Sequence, residues 1–203
     1  MNIDWGDGES ESDVRQLRLV DHTYKSESVQ TITITGKNIK YLNCSDLTNL
    51  DVSKCPTLED LECEGQFTSL DLSKNTALKM LDCKAQLTSL NAGRCTALEA
   101  LYCVGNKLTS LDVSKNTALV TLWCSGNQLT SLDVSKNVEM RDLQCQGNQL
   151  SASALNALFR TLIDNSGEGI LGKRRNIQMT SNPGTDNCDR SIAENRGWVV
   201  NNL

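Results

Sequence analysis

The chain has 203 residues and a formal net charge of −5, with 38% hydrophobic and 4% aromatic residues. This acidic balance argues against nucleic-acid binding, which needs a basic face, and no apolar run reaches the roughly 18 residues of a transmembrane helix. The polar N-terminus is not a signal peptide, so we expect either a cytosolic protein or one whose leader lies upstream of this sequence.

Residues 1–38 carry strand and turn signals but not the repeat that follows. Asp7-Gly8 favours a tight turn, and the alternation in residues 31–35 favours a strand with Ile32 and Ile34 on one face. The combination of a WGDG turn (residues 5–8) with His22-Thr23-Tyr24 resembles the second half of the polycystic-kidney-disease-type β domain. We predict a β-rich cap over 1–38, because an open solenoid end would expose leucines and a sheet edge.

Residues 39–150 consist of a repeat of 20 or 21 residues, and its clearest copy, LTSLDVSKNTALVTLWCSGNQ, starts at Leu108. The other copies start at Leu47, Phe67, Leu87 and Leu129. A period of this length indicates a solenoid in which each unit buries its apolar face by stacking on its neighbours.

One half of each unit reads L-x-x-L-x-C, as in Leu119, Leu122 and Cys124, and continues to Asn127 and Leu129. This half resembles the leucine-rich-repeat signature L-x-x-L-x-L-x-x-N-x-L, with cysteine in place of the third leucine, as in the internalin J-type branch of bacterial surface proteins. The resemblance implies a leucine-rich-repeat solenoid, a right-handed superhelix with a curved parallel β-sheet on its concave side. Short irregular or 3-10 segments are expected on the convex side, and an extracellular or cell-surface location is implied.

The asparagine of this signature follows the cysteine only in the last three units, as Asn106, Asn127 and Asn148. In the family it hydrogen-bonds buried backbone at the strand-to-loop corner. We therefore expect an asparagine ladder in the last three turns, and a tighter or irregular corner after Cys63 and Cys83.

The period stops after Leu150, and residues 151–203 predict a small α+β C-terminal cap. Ser151 can cap a helix with one apolar face, formed by Leu155, Leu158, Phe159 and Leu162. A short strand with Ile177 and Met179, a second helix opened by Asp186 and stopped at Gly197, and a last strand at 198–200 should follow. Lys173-Arg174-Arg175 is interpreted as a solvated loop.

The nine cysteines do not predict a disulfide framework. Six of them occupy the inward third position of the signature strand, namely Cys44, Cys63, Cys83, Cys103, Cys124 and Cys145. Their Cβ atoms would stack at about 4.8 Å and point the same way, whereas a disulfide needs about 3.8 Å with crossed vectors. We predict a ladder of buried free thiols, and Cys55 and Cys95 should not pair either, because two turns separate them. The redox compartment cannot be inferred from these cysteines.

The rest of the sequence contains few candidate residues for a metal, cofactor or catalytic site. No metal site or cofactor is predicted, because the chain has no CxxC and its one histidine is His22. The stretch from Asp164 to Arg175 fails as a calcium loop, since its twelfth position is an arginine. The lysines and arginine at 54, 74, 94, 115 and 136, with the acidic column three residues upstream, are interpreted as a solvated convex surface of mutually offset charges.

The outward positions of the signature strands should form columns on the concave sheet. The central column reads Asn43, Glu62, Asp82, Tyr102, Trp123 and Gln144. One flank reads Tyr41, Asp60, Met80, Ala100, Thr121 and Asp142, and the other Ser45, Glu64, Lys84, Val104, Ser125 and Gln146. We expect Tyr102, Trp123, Met80 and Val104 to form an exposed apolar patch beside the acidic residues Asp60, Glu62, Glu64 and Asp82.

These residues favour a non-enzymatic recognition module whose concave face binds a partner, a protein or, by ring stacking, a glycan. The candidate ligand-binding residues are Tyr102, Trp123, Met80, Val104, Asp82, Glu62, Asp60, Glu64 and Gln144. The alternative is a structural spacer or stalk of a larger surface protein without a ligand of its own. No catalytic set of nucleophile, base and metal can be assembled, so we predict no enzyme, and the oligomeric state is open.

Overall fold

A computed structural model of the chain describes residues 2–4, 8–12, 32–36, 38–167 and 174–201. The first three strands are β1 (Asn2–Asp4), β2 (Ser10–Glu11) and β3 (Thr33–Thr35), which form an antiparallel sheet in the order β2-β1-β3. Ile3 is buried, and Ile34 packs partly buried against the core of the solenoid. Ile32, expected on the same face as Ile34, precedes the strand and is 37% exposed. The remaining turn residues 5–7, His22 and Tyr24 lie outside the described residues.

The repeats and the C-terminal region together build one parallel sheet of eight strands, arranged in chain order from β4 to β11. Its strands are β4 (Tyr41–Leu47), β5 (Asp60–Gly65), β6 (Met80–Lys84), β7 (Ala100–Tyr102), β8 (Thr121–Trp123), β9 (Asp142–Gln144), β10 (Arg175–Gln178) and β11 (Trp198–Asn201). The fold is the predicted leucine-rich-repeat solenoid. Between the repeat strands the chain runs through turns rather than helices, because each unit has only about 15 residues for its return path.

The core is a narrow stack of identical positions. From β5 to β9 the second residue of each strand, as in Leu61, Leu101 and Leu143, is completely buried, while its two neighbours are only half buried. Leucines three residues earlier, such as Leu58 and Leu119, fill the other side of the same layer. Each unit therefore buries its apolar residues only against the units above and below it.

The cysteines continue this stack as free thiols, and all nine are unpaired. Cys63, Cys83, Cys103, Cys124 and Cys145 are buried as predicted. Cys44 is only partly buried, because β4 is the edge strand of the sheet and has a neighbouring turn on one side only. These cysteines pack as small apolar side chains.

The corner after the strand differs between early and late turns. Asn127 illustrates the late corner: its Nδ2 donates to the carbonyls of Cys103 and Cys124, and its Oδ1 accepts from the Leu108 amide. The early turns lack this asparagine, and β5 and β6 run two or three residues longer instead. At Gly65 a Cβ would lie 2.1 Å from the Leu47 carbonyl oxygen, so this position requires a glycine, whereas the equivalent corner of the next turn carries Ala85.

The asparagine ladder does not end with the last recognisable repeat. Asn182 donates to the carbonyls of Cys145 and Met179 and accepts from the Leu150 amide, the same three contacts that Asn148 makes one turn earlier. The expectation of a ladder confined to three turns was therefore too narrow. The sheet likewise continues past Leu150, because β10 pairs with β9. The predicted domain boundary at Leu150 stays a prediction.

The C-terminal region adds helix α1 (Ala152–Thr161), whose first turn is capped by the Ser151 hydroxyl at 3.2 Å from the Ala154 amide. The predicted apolar face of this helix is buried. Helix α2 (Ser191–Glu194) begins five residues later than Asp186, the predicted start. The chain is still turning around Gly184, and Asp189 is the carboxylate that accepts from the Ser191 amide.

Candidate functional site

The outward side chains of the solenoid sheet lie in the columns expected from the sequence. Asn43, Glu62, Asp82, Tyr102, Trp123 and Gln144 are successive register partners across β4 to β9. The two C-terminal strands extend this central column by Gln178 and Asn201. The face therefore runs from an acidic end, through two aromatic side chains, to an amide-rich end.

Tyr102 and Trp123 form an aromatic pair at the middle of this face. Their ring centroids are 4.8 Å apart and the rings meet edge to face at 68°. The Trp123 indole N–H donates to Asp142 Oδ2 at 2.7 Å, which fixes the indole against the next strand. Burial raises the pKa of the Tyr102 phenol, and the neighbouring carboxylates of Asp142 and Asp82 raise it further. The pair is thus a pre-oriented aromatic platform.

The expected exposed apolar patch is half buried. Tyr102, Trp123, Met80 and Val104 all have intermediate exposure. The two aromatic rings contact each other edge to face and so cover part of each other's surface. Tyr41, at the N-terminal end of the flanking column, is 44% exposed and is the more open aromatic residue.

The acidic residues occupy the N-terminal end of the same face. Glu62 accepts a 2.6 Å hydrogen bond from Asn43 Nδ2, and Asp82 lies 4.0 Å from the Lys84 ammonium. Burial and the nearby Glu62 charge raise the pKa of Asp60. One oxygen of Asp60 is buried without a hydrogen-bond partner among the described residues. Register places this acidic end directly beside the aromatic pair, through Asp82 and Tyr102.

A charged row that the sequence analysis missed lies where the strands begin. The Glu59 carboxylate contacts the Lys40 ammonium at 2.6 Å and the Lys79 ammonium at 2.7 Å. These two hydrogen-bonded lysines lower the pKa of Glu59 to about 2. The lysine–glutamate alternation at strand starts was visible in the sequence, but we interpret this exposed row as sheet-edge charge pairing rather than a binding site.

A depression of about 480 Å³ marks the C-terminal end of the sheet face, and the sequence analysis missed it too. It is lined by Arg141, Asp142, Gln144, Arg174, Asn176, Gln178 and Asn201. The signal that could have revealed it is the run Ile177-Gln178-Met179-Thr180-Ser181-Asn182, which has the L-x-C-x-x-N spacing with conservative replacements. That spacing places Gln178 in the column of Trp123 and Gln144.

The basic run at 173–175 is not the solvated loop that was expected. Arg175 is buried at the start of β10, and its guanidinium donates to the Met140 carbonyl. Arg174 is exposed, and Lys173 lies outside the described residues. The interpretation was wrong for Arg175, because β10 begins at Arg175 itself, two residues before the Ile177 named in the predicted strand.

The convex acidic column has a local structural role. Asp51, Asp71, Asp112 and Asp133 each accept a hydrogen bond from the amide of the serine two residues on, at 2.8 or 2.9 Å. Hydrogen bonds from these serines lower the aspartate pKa values, and the lysines of the same turns contribute less. The column is therefore held mainly by turn geometry, not by the neighbouring lysine column.

The described residues also bear on a metal site, a membrane-spanning helix and a calcium loop. Across the described ranges, no three histidine, cysteine, aspartate or glutamate side chains come together as metal ligands would. Neither described helix has the length and apolar character to cross a membrane. Asp164, tested as a calcium ligand, accepts from the Ser166 amide and hydroxyl and so caps its own turn.

Comparison with solved structures identifies similar solenoids. The functional domain of internalin J from Listeria monocytogenes, which includes a cysteine ladder, is 34% identical with a TM-score of 0.62. That match covers 77% of this chain and 33% of the other. A leucine-rich-repeat protein of Leptospira interrogans is 20% identical, with a TM-score of 0.59 over 81% of this chain and 49% of its own.

A third similar structure, internalin F from Listeria monocytogenes, is 21% identical with a TM-score of 0.55. It is matched over 81% of this chain and 54% of its own length. The chain thus spans about a third to a half of the proteins it matches. No protein-family model and no curated protein matches the sequence. These likenesses confirm the fold and the cysteine-bearing repeat type, but they do not extend to the polycystic-kidney-disease-type resemblance of the N-terminus.

Proposed function

Because the chain is a leucine-rich-repeat solenoid whose cysteine-bearing turns resemble those of internalin J, we propose that it is a non-enzymatic recognition module. Its concave sheet face would bind a protein partner through the aromatic pair and the adjoining acidic residues. The leucine-rich-repeat neighbours suggest a protein-interaction module in general terms, and the patch residues are specific to this chain.

The observation that supports this proposal is the fixed pair of Tyr102 and Trp123. Aromatic side chains with locked rotamers are frequent anchors of protein interfaces, since little conformational entropy is lost when they are covered. Asp142 holds the indole in place before any partner arrives. Met80 and Val104 widen the apolar centre, and a partly covered centre with a polar rim is typical of a protein-binding surface.

The acidic end of the face indicates that the proposed partner is positively charged. Four acidic side chains lie on the same side of the sheet, namely Asp60, Glu62, Glu64 and Asp82. Within the described sheet face, only Lys84 forms an ion pair with this group. A partner segment that carries lysine or arginine beside an apolar anchor would complement both parts of the face, and Gln144 would contribute a polar contact at the opposite rim. Stacking of a sugar ring on the aromatic pair is the second possibility for the same surface.

The proposed location is extracellular or at the bacterial cell surface, by analogy with the internalins of Listeria monocytogenes. One observation favours the spacer alternative. The side chains of the patch are half buried, and its two aromatic rings already contact each other. If the chain is a spacer, removing the aromatic pair should abolish no binding activity.

The test is capture on protein and glycan arrays, followed by affinity measurements on variants. The Tyr102→Ala/Trp123→Ala double variant should weaken capture at least about a hundredfold, because two interface anchors are removed. Val138→Ala is the matched control, since Val138 is an apolar residue 48% exposed outside the sheet face. Thermal melting of each variant would separate lost binding from lost folding.

Unchanged affinity in a folded double variant would contradict the proposed site. Blank arrays of both kinds would favour the spacer. Turnover of common esters, peptides or glycosides by the purified chain would contradict the non-enzymatic proposal.

A further inference from the structure

We propose that the polar depression at the C-terminal end of the sheet is a second binding site, and that its ligand is a sugar carrying a carboxylate. The site adjoins the aromatic pair and uses neither of its rings, although Gln144 lines both the depression and the rim of the proposed protein-binding face. It would therefore exist whether or not the aromatic patch binds a protein.

The lining of the depression carries more positive than negative charge, with two arginines against one carboxylate. Arg141 and Arg174 both line it, and neither guanidinium makes a hydrogen bond or ion pair with any described residue. Asp142 is the one carboxylate in the lining, and it already accepts from the Trp123 indole. Two free guanidiniums on a chain of net charge −5 indicate an oxyanion ligand, for which the arginine fork provides paired donors.

The Arg141 guanidinium has a hydrogen-bond donor that no described residue engages. Its Nε is buried and lacks a hydrogen-bond partner in the described part of the chain. Arg175, at the start of β10, is buried and donates its guanidinium to the Met140 carbonyl.

The other lining groups favour a sugar over an acidic peptide. Gln144, Asn176 and Asn201 have amide side chains that no described residue engages, and Gln178 is only weakly paired, with Gln146 at 3.4 Å. Amides both donate and accept, which matches the hydroxyl groups that crowd a sugar ring. The volume of about 480 Å³ falls within the range of small-molecule sites, and the lining contains no apolar side chain that would anchor a peptide residue.

The test compares two methyl glycosides that differ only at one carbon. Methyl β-glucuronide and methyl β-glucoside would be titrated at equal ionic strength into the ¹⁵N-labelled full chain. The glucuronide should shift the amide signals of β9, β10 and β11 and bind at least about tenfold more tightly than the glucoside. Equal affinity for the two sugars, or no binding of the glucuronide, would overturn the proposal.

Variants locate the anion contact. Arg141→Gln and Arg174→Gln should each weaken glucuronide binding about tenfold, since each removes a charge-assisted contact. Arg94→Gln is the matched control, because Arg94 is an exposed arginine in the loop that precedes β7. Arg174 is itself exposed, so its replacement tests the site even if Arg141→Gln does not fold.

Two further measurements separate the alternatives. Tighter binding of an acetyl-Glu-Glu-amide peptide than of the glucuronide would overturn the assignment to a sugar. Glucuronide binding that survives in the Tyr102→Ala variant would support a site independent of the aromatic patch. Its loss in that folded variant would show that the two regions form one site and would overturn the proposal of a second.

Discussion

Asparagine side chains form two columns in the solenoid, one at each of two bends, and the two columns differ in how completely they are hydrogen-bonded. At the corner after the strand, Asn127 satisfies three buried backbone groups and has no unpaired atom. On the opposite bend, Asn116 donates to the carbonyls of Ala92 and Cys95, but its Oδ1 is buried without a partner among the described residues. A position whose asparagine is incompletely hydrogen-bonded should tolerate replacement, and cysteine does replace asparagine in the second column at Cys55 and Cys95.

We expect the same replacement to have different costs in the two columns. Asn127→Cys should lower the free energy of unfolding by about 3 kcal/mol, because an amide and two carbonyls lose their partners inside the core. Asn116→Cys should cost about 1 kcal/mol, since it also removes an unpaired oxygen. Chemical denaturation would measure both, with Asn49→Ala at an exposed position as the control. Equal losses at 116 and 127 would contradict this account.

At the scale of the element, β10 and the corner after it are a repeat strand that the sequence conceals. Ile177, Met179 and Asn182 stand in register with Leu143, Cys145 and Asn148, although none of the surrounding residues follows the repeat. Ser181 even adopts the left-handed conformation of Gly147, with φ of 58° against 65°. The unit therefore keeps the backbone of the solenoid with a different sequence.

Exchanging these two residues tests the equivalence. Gly147→Ser should destabilise the chain by about 1 kcal/mol, because a side chain is disfavoured at positive φ. Ser181→Gly should stabilise it by a similar or smaller amount, since it removes the same strain. Thermal melting of the two variants would suffice. A loss of stability in Ser181→Gly would mean that the serine side chain contributes contacts that outweigh its backbone strain.

The sequence predicted the elements with a strong period and missed those defined by contacts across the chain. Five repeat strands, the buried thiols and the apolar face of α1 follow from spacing alone. Arg175 was misjudged because its burial depends on the Met140 carbonyl, which lies 35 residues earlier. The half burial of Tyr102 and Trp123 depends on their mutual packing, and spacing contains no information about ring orientation.

At the scale of the whole molecule, the buried thiols make stability decrease at alkaline pH. Burial raises the pKa of Cys145 to about 12 and that of Cys95 to about 11, from 9.0. Below about pH 7.5 both states keep the thiols protonated. As the pH rises through 9 towards 12, the unfolded chain loses protons that the folded chain retains, so the free energy of unfolding falls.

The Cys145→Ala variant isolates this effect from other alkaline titrations. It should be less stable than the parent at neutral pH, and the difference should shrink between about pH 8 and pH 11, because the variant has lost one of the titrating thiols. Urea titrations at several pH values would measure it. A difference that stays constant would contradict a buried thiol at position 145. Rapid reaction of all nine thiols in the native state would contradict the ladder as a whole.

The central proposal is that the sheet face, and not the outer bends, contacts a partner. Photo-crosslinking to an array-selected partner tests it most directly, with benzoylphenylalanine placed either at Met80 on the face or at Val138 outside it. Neither position contributes a hydrogen-bonding side chain, and both substituted chains should melt close to the parent. We predict a covalent adduct at position 80 and little or none at position 138. Adducts at position 138 with none at position 80 would contradict recognition through the concave sheet.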